Sequence, residues 1–171
     1  MSNSVFVFIQ LPEGFPFEVD MVQAEPVGEN LYKLCDVPLF ASGLAIGDIV
    51  EVGPVTEMLR FTRLVQDGDQ YTTTVAINGE NSAACEALIN ILKQDERYSF
   101  RMVYPSWVAI CCPMELLLPL YKLLNEGRES KLWEWGVEKM PTPAQFLENR
   151  ETLEYVRSSM PPVKPAPGTE E

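Results

Sequence analysis

The first 77 residues hold six short β-prone runs and no stretch in which apolar residues recur at the 3.6-residue period of a helix. This half is therefore all-β, with strands expected over Val5–Ile9, Glu18–Ala24, Asn30–Cys35, Asp48–Val52, Met58–Val65 and Tyr71–Ile77. Pro12, Gly14, Pro16, Pro26, Gly28, Gly47 and Pro54 punctuate them. Two hairpin turns are legible, Gly28-Glu29-Asn30 and Asp67-Gly68, because glycine permits the positive φ that tight hairpins require. Six strands of this size predict a small antiparallel sheet or partial barrel over residues 1–77.

The pattern changes after Ile77. Asn81 or Ser82 is placed to cap a helix in which Cys85, Leu88, Ile89 and Leu92 recur at i, i+3, i+4 and i+7, ending near Gln94. Two β-rich runs follow, Tyr98–Tyr104 and Trp107–Cys112, and then a leucine-rich helix from Pro113 to Gly127. Pro119 lies inside that helix, and its missing N–H predicts a kink or a restart there. With strand 71–77 shared, residues 78–127 read β-α-β-β-α, a ferredoxin-like split β-α-β unit lacking its last strand, which the first half could lend.

Residues 128–158 read as C-terminal helices. One spans Lys131–Met140, with Trp133, Val137 and Met140 at i, i+4 and i+7, and the next opens on the capping box Thr142-Pro143-Ala144-Gln145 and runs to Arg157. Residues 159–171 carry four prolines and no buriable period, which predicts a disordered tail. The expected class is α+β.

Composition limits the chemistry. The chain has no histidine, which removes His general bases, Ser-His and Cys-His nucleophile pairs and His-ligated metals. Its 13 basic and 25 acidic residues leave a net charge of −12, so duplex nucleic acid and anionic membrane are poor partners. The N-terminus lacks the basic start and long apolar run of a signal peptide, and no window approaches a membrane span, so a cytoplasmic protein is expected. Cys35, Cys85, Cys111 and Cys112 give no C-x-x-C pair, and no cofactor or metal is expected. On a strand, adjacent Cys111 and Cys112 point to opposite faces and read as two small apolar residues.

Two segments carry a resemblance. The run Leu34-Cys35-Asp36-Val37-Pro38-Leu39-Phe40-Ala41 and the block Gly47-Asp48-Ile49-Val50-Glu51-Val52, followed by an arginine-containing strand, resemble an uncharacterised bacterial family, domain of unknown function 4265. The resemblance extends over about residues 4 to 112. It implies a compact bacterial cytoplasmic protein and brings no activity or catalytic residue with it.

Candidate contact residues are Asp36, Asp48, Arg60, Arg63 and Trp135. Asp36 and Asp48 flank the segment between two strands and could share one rim, although Asp beside Gly or Pro commonly accepts backbone N–H groups in a turn. Asp67-Gly68-Asp69 starts like a calcium loop but lacks the later acidic ligands. Arg60 and Arg63 stand out because residues 1 to 77 contain three basic groups against eleven acidic ones. Three apart on one strand, they should face opposite ways. Arg101 is comparable. Helical phase puts Trp133 in the core and leaves Trp135 for a partner.

Two function classes follow. One is a non-enzymatic acidic protein engaging a basic partner protein, as an immunity-type or antitoxin-like inhibitor does. The other is a small-ligand sensor with a cleft between the β half and the α+β half. No motif supports an enzyme.

Overall fold

A computed structural model describes residues 4–15, 17–55, 58–79, 81–103, 106–147 and 149–159. Five strands, β1 (Val5–Gln10), β2 (Val19–Gly28), β3 (Leu31–Leu34), β4 (Ile49–Val55) and β5 (Met58–Gln66), close into a barrel. Each step from β1 to β5 is antiparallel, so an odd strand count forces the closing pair β5–β1 to be parallel. Period-2 alternation sends Val7, Ile9, Val22, Ala24, Val50 and Val52 inward to one core. The β2–β3 hairpin turns at Glu29-Asn30, where Asn30 has φ 57°.

The sixth expected strand, β6 (Tyr71–Ile77), leaves the barrel. Asp67-Gly68 is thus a crossing between sheets and not a hairpin turn. Both flanks of β6 are taken by β8 (Trp107–Cys112) and β9 (Trp133–Lys139), which a local turn signal cannot foresee. With β7 (Ser99–Val103) the second sheet has the order β7-β8-β6-β9, all antiparallel. Helix α1 (Ser82–Leu92) joins β6 to β7, and α2 (Met114–Glu129) joins β8 to β9. This is a complete β-α-β-β-α-β ferredoxin-like unit, with no strand borrowed from the barrel. The overall class is α+β.

The missing strand is the segment expected as a helix over Lys131–Met140. Trp133 and Trp135 are buried while Glu134 and Gly136 are exposed, an alternation of two that outweighs the coincident helical spacing. Helix α1 starts as expected, with Asn81 Oδ1 accepting from the Ala84 N–H at 3.0 Å. Helix α2 runs through Pro119 without restarting. The acceptor that Pro119, lacking an N–H, does not engage is the carbonyl of Glu115, an exposed residue in the first turn. Gly127 lets α2 approach β9, because a Cβ there would fall 2.0 Å from the Trp133 ring.

Strand β8 is buried on both faces and reads as a continuous apolar run. Ala109 and Cys111 pack against Val37, Leu39, Phe40 and Ala45 of the β3–β4 connection, which wedges between barrel and sheet. Phe40 meets Trp107 edge-on at 4.8 Å. Burial pushes the thiols of both Cys111 and Cys112 up, away from thiolate.

The described residues from 141 to 159 belong to a separate compact unit. The Thr142 N–H donates to Gln145 Oε1 at 2.8 Å and the Gln145 N–H to Thr142 Oγ1 at 3.4 Å, the reciprocal capping box. Two helices, α3 (Pro143–Leu147) and α4 (Arg150–Ser159), stand where one was expected. Asn149 lies between them, and its carbonyl accepts from the Leu153 N–H at 3.2 Å to open α4. The proline-rich tail from residue 160 lies outside the described residues.

Candidate functional site

Two clusters of the same composition, two aspartates around one cation, join the barrel to the second sheet. In the first, Lys139 Nζ donates to Asp48 Oδ1 at 2.7 Å and to Asp67 Oδ1 at 2.8 Å. Asp48 is 0% exposed and also accepts the N–H groups of Gly68 at 2.7 Å and Ala45 at 2.8 Å. Every acceptor direction that matters is occupied. Burial raises the Asp48 carboxyl, against the pull of Lys139 and the two N–H groups. A register shift between Thr72 and Thr73 on the β6–β9 pair puts Lys139 opposite Thr72, whose hydroxyl donates to the Leu44 carbonyl at 2.7 Å. Gly68 sits against this cluster because a Cβ there would meet the Gly47 carbonyl at 2.5 Å.

In the second cluster, Arg101 on β7 reaches across to β2. Its Nη2 donates to Asp20 Oδ1, and Nη1 donates to the Met21 carbonyl at 3.1 Å. Asp20 Oδ2 accepts the Leu39 N–H at 2.6 Å. Burial raises the Asp20 carboxyl, with the Arg101 guanidinium and the Leu39 N–H opposing it. Asp36 completes the set more loosely, its Oδ2 3.6 Å from Arg101 Nη1 and its Oδ1 accepting the Val37 N–H at 2.8 Å. Its side chain is 38% exposed against 6% for Asp20.

The difference between the clusters is access. Asp20, Asp36 and Arg101 form the charged floor of a cleft of about 380 Å³ whose walls are Leu11, Phe17, Val19, Met21 and Leu39. A few convergent polar groups within apolar walls are the usual make-up of a ligand pocket. A wider cleft of about 490 Å³, between Lys33, Cys35 and Gly47 on one side and Gln70, Arg97 and Ser99 on the other, lacks a buried charge. There Arg97 is held at the surface by Asp95 and Glu115.

The five sequence candidates scatter. Asp36 lines the cleft. Asp48 is sealed in the other cluster, so the two aspartates do not share a rim, and each accepts backbone N–H groups as a turn Asp does. Trp135 is buried and not available to a partner: it stacks on Tyr121 at 5.2 Å and donates from Nε1 to Asn125 at 3.3 Å. Arg60 and Arg63 both face outward, because a bulge at Thr62 resets the alternation and keeps Leu59, Phe61 and Leu64 toward the core. Arg63 binds Glu51 at 2.5 Å, and Arg60 lies beside Phe8 and Met58 on the outer barrel wall.

That wall carries an apolar face across β5, β1 and β2. Phe6 and Met21 are each 55% exposed, and the register sets Phe8 opposite both Met21 and Arg60. Asp20 and Lys139 escaped the sequence reading. A signal for Asp20 was present, since it shares the inward phase of Val22 and Ala24; Lys139 was hidden in the misread helix.

Among the described residues no group of three metal-ligating side chains comes together, and no helix is long and apolar enough to cross a membrane. A crystal structure of a hypothetical protein from Neisseria gonorrhoeae is similar, with a TM-score of 0.65 at 17% identity over 83% of this chain and 97% of that one, a likeness of fold. No curated protein matches the sequence. The model of the family described as a domain of unknown function (DUF4265) matches residues 20–135, which take in Asp20, Asp36 and Arg101 and more than half of the chain, and the protein belongs to that family.

Proposed function

We propose that the protein is a bacterial cytoplasmic binding protein, not an enzyme, and that its ligand enters the cleft between barrel and second sheet. The observation that supports this is the cleft over Arg101, Asp20 and Asp36, a charged floor within apolar walls at the junction of two packed units. Of the two classes expected from sequence, the small-ligand sensor fits it best. A ligand held there touches β2, the β3–β4 wedge and β7 together, so occupancy stiffens the junction.

The test is a thermal-shift screen with a metabolite panel on the wild type and on Val19→Trp, which fills the cleft from its exposed wall. A compound present at about a hundred times its Kd adds about 2.7 kcal/mol. One chemical class should raise Tm by several degrees in the wild type and leave Val19→Trp unmoved. No responding compound, or equal responses in both proteins, contradicts the reading.

The second reading, an acidic protein engaging a basic partner, is supported by the apolar outer face around Phe6 and Met21 and by the charge of −12. Affinity capture at low salt should then retain one basic protein, released by raising salt and lost from a Phe6→Asp, Met21→Asp double variant. Retention that ignores both salt and the double variant sinks it.

A further inference from the structure

Resting on the cleft reading, we propose that the group the cleft takes is a primary alkylammonium, seated on the free side of Asp36 with its alkyl chain along Met21 and Val19. Three observations converge. First, the floor has two carboxylates for one guanidinium, so it keeps one unit of negative charge when all three are ionised. Second, the three groups are unequally occupied. Arg101 donates from Nη1 and Nη2 to the Met21 carbonyl and Asp20, its Nε has no partner but is fully buried and not exposed to the cleft, and Asp20 also accepts from Leu39, which leaves neither group presented to an incoming anion. Asp36 Oδ2 is different: at 3.6 Å its contact with Arg101 is longer than a hydrogen bond, and the oxygen keeps its acceptor capacity in an accessible position. Third, the walls suit methylenes, since Val19 and Met21 are exposed apolar side chains at the mouth of the cleft.

The sealed cluster supplies the contrast. Asp67 is as exposed as Asp36, 46% against 38%, yet its Oδ1 is only 2.8 Å from Lys139 Nζ. An ammonium therefore already occupies, within the chain, the kind of place that stands open beside Asp36. The net charge of −12 raises the local concentration of cations and disfavours anions.

The ammonium has two sources, a free alkylamine or a lysine of another polypeptide. NMR titrations with n-butylamine, with a blocked tripeptide bearing a central lysine and with sodium acetate distinguish them. The amine or the peptide should shift amide signals of residues 19–21 and 36–39, and Asp36→Asn should weaken that binding about tenfold. Asn keeps the Oδ1 acceptor for Val37, so the variant stays folded. Peptide binding at least about ten times tighter than the amine names a polypeptide lysine; equal binding names a free amine. Binding of acetate in place of the amine, binding by neither cation, or unchanged binding by Asp36→Asn overturns the proposal. If the metabolite screen still finds a compound that Val19→Trp rejects, the cleft reading survives and only the ammonium falls.

Discussion

Both junction clusters hold one buried aspartate, one half-exposed aspartate and one long basic side chain, and they differ in how far the cation is shared. Lys139 is within 2.8 Å of both its carboxylates, whereas Arg101 is tight on Asp20 and loose on Asp36. In the sealed case the charges, once removed from water, hold each other and two backbone N–H groups. Such an arrangement fixes geometry while contributing little net stability, because desolvation offsets the Coulomb gain. In the open case one carboxylate remains half in water beside apolar walls. Two aspartates and one cation thus make a clamp at one place and, in the proposed reading, a receptor at the other.

Removing the clamp's cation should have the largest effect. Lys139→Met leaves Asp48 buried beside Asp67 with no counter-charge and should cost about 3–5 kcal/mol in urea unfolding. Gly68→Ala pushes a methyl into the Gly47 carbonyl and should cost about 2–4 kcal/mol. The corresponding change at the open cluster, Arg101→Met, should cost about 2 kcal/mol, since Asp20 keeps its Leu39 N–H and water reaches the cleft. Equal losses at Lys139 and Arg101 would erase the distinction between clamp and receptor.

The pH dependence is subtler. Asp48 and Asp20 have folded pKa values raised above the ordinary 3.8. Each therefore takes up protons on folding, and its contribution is fully present below 3.8 and lost as pH rises through the raised value. Asp95, held down to about 2 by Arg97, acts oppositely: its contribution is present above 3.8 and fades as pH falls toward 2. Unfolding free energies measured upward from 3.8 should therefore decline less steeply in Asp20→Asn than in the wild type. An unchanged slope would remove Asp20 from the account. Smallest is the stability change for Asp36→Asn, within about 0.5 kcal/mol, because the substitution is half-exposed and keeps its local hydrogen bond.

Local pattern made most of the fold legible. Alternation and turn residues located the five barrel strands, and capping residues located α1 and the start of α3. What escaped was long-range. Whether β6 ends the barrel or begins a new sheet depends on β8 and β9, and whether Trp133–Lys139 is a strand depends on a place beside β6. The site suffered more than the fold, because Asp20 meets Arg101 from 81 positions away and Lys139 meets Asp48 from 91. Still, the segments that carried the family resemblance, Leu34 to Ala41 and Gly47 to Val52, are those that build the wedge and present Asp36 and Asp48. The resemblance thus pointed at the junction even though spacing alone could not tell which aspartate was sealed.

The most direct test sets the two half-exposed aspartates side by side. n-Butylamine is titrated into the wild type, Asp36→Asn and Asp67→Asn, with binding followed by the amide shifts of residues 19–21 and 36–39. Binding weakened about tenfold in Asp36→Asn and kept in Asp67→Asn is the predicted result. Equal loss in both variants would mean that general negative charge, and not the open cluster, draws the cation, and would contradict the distinction between clamp and receptor.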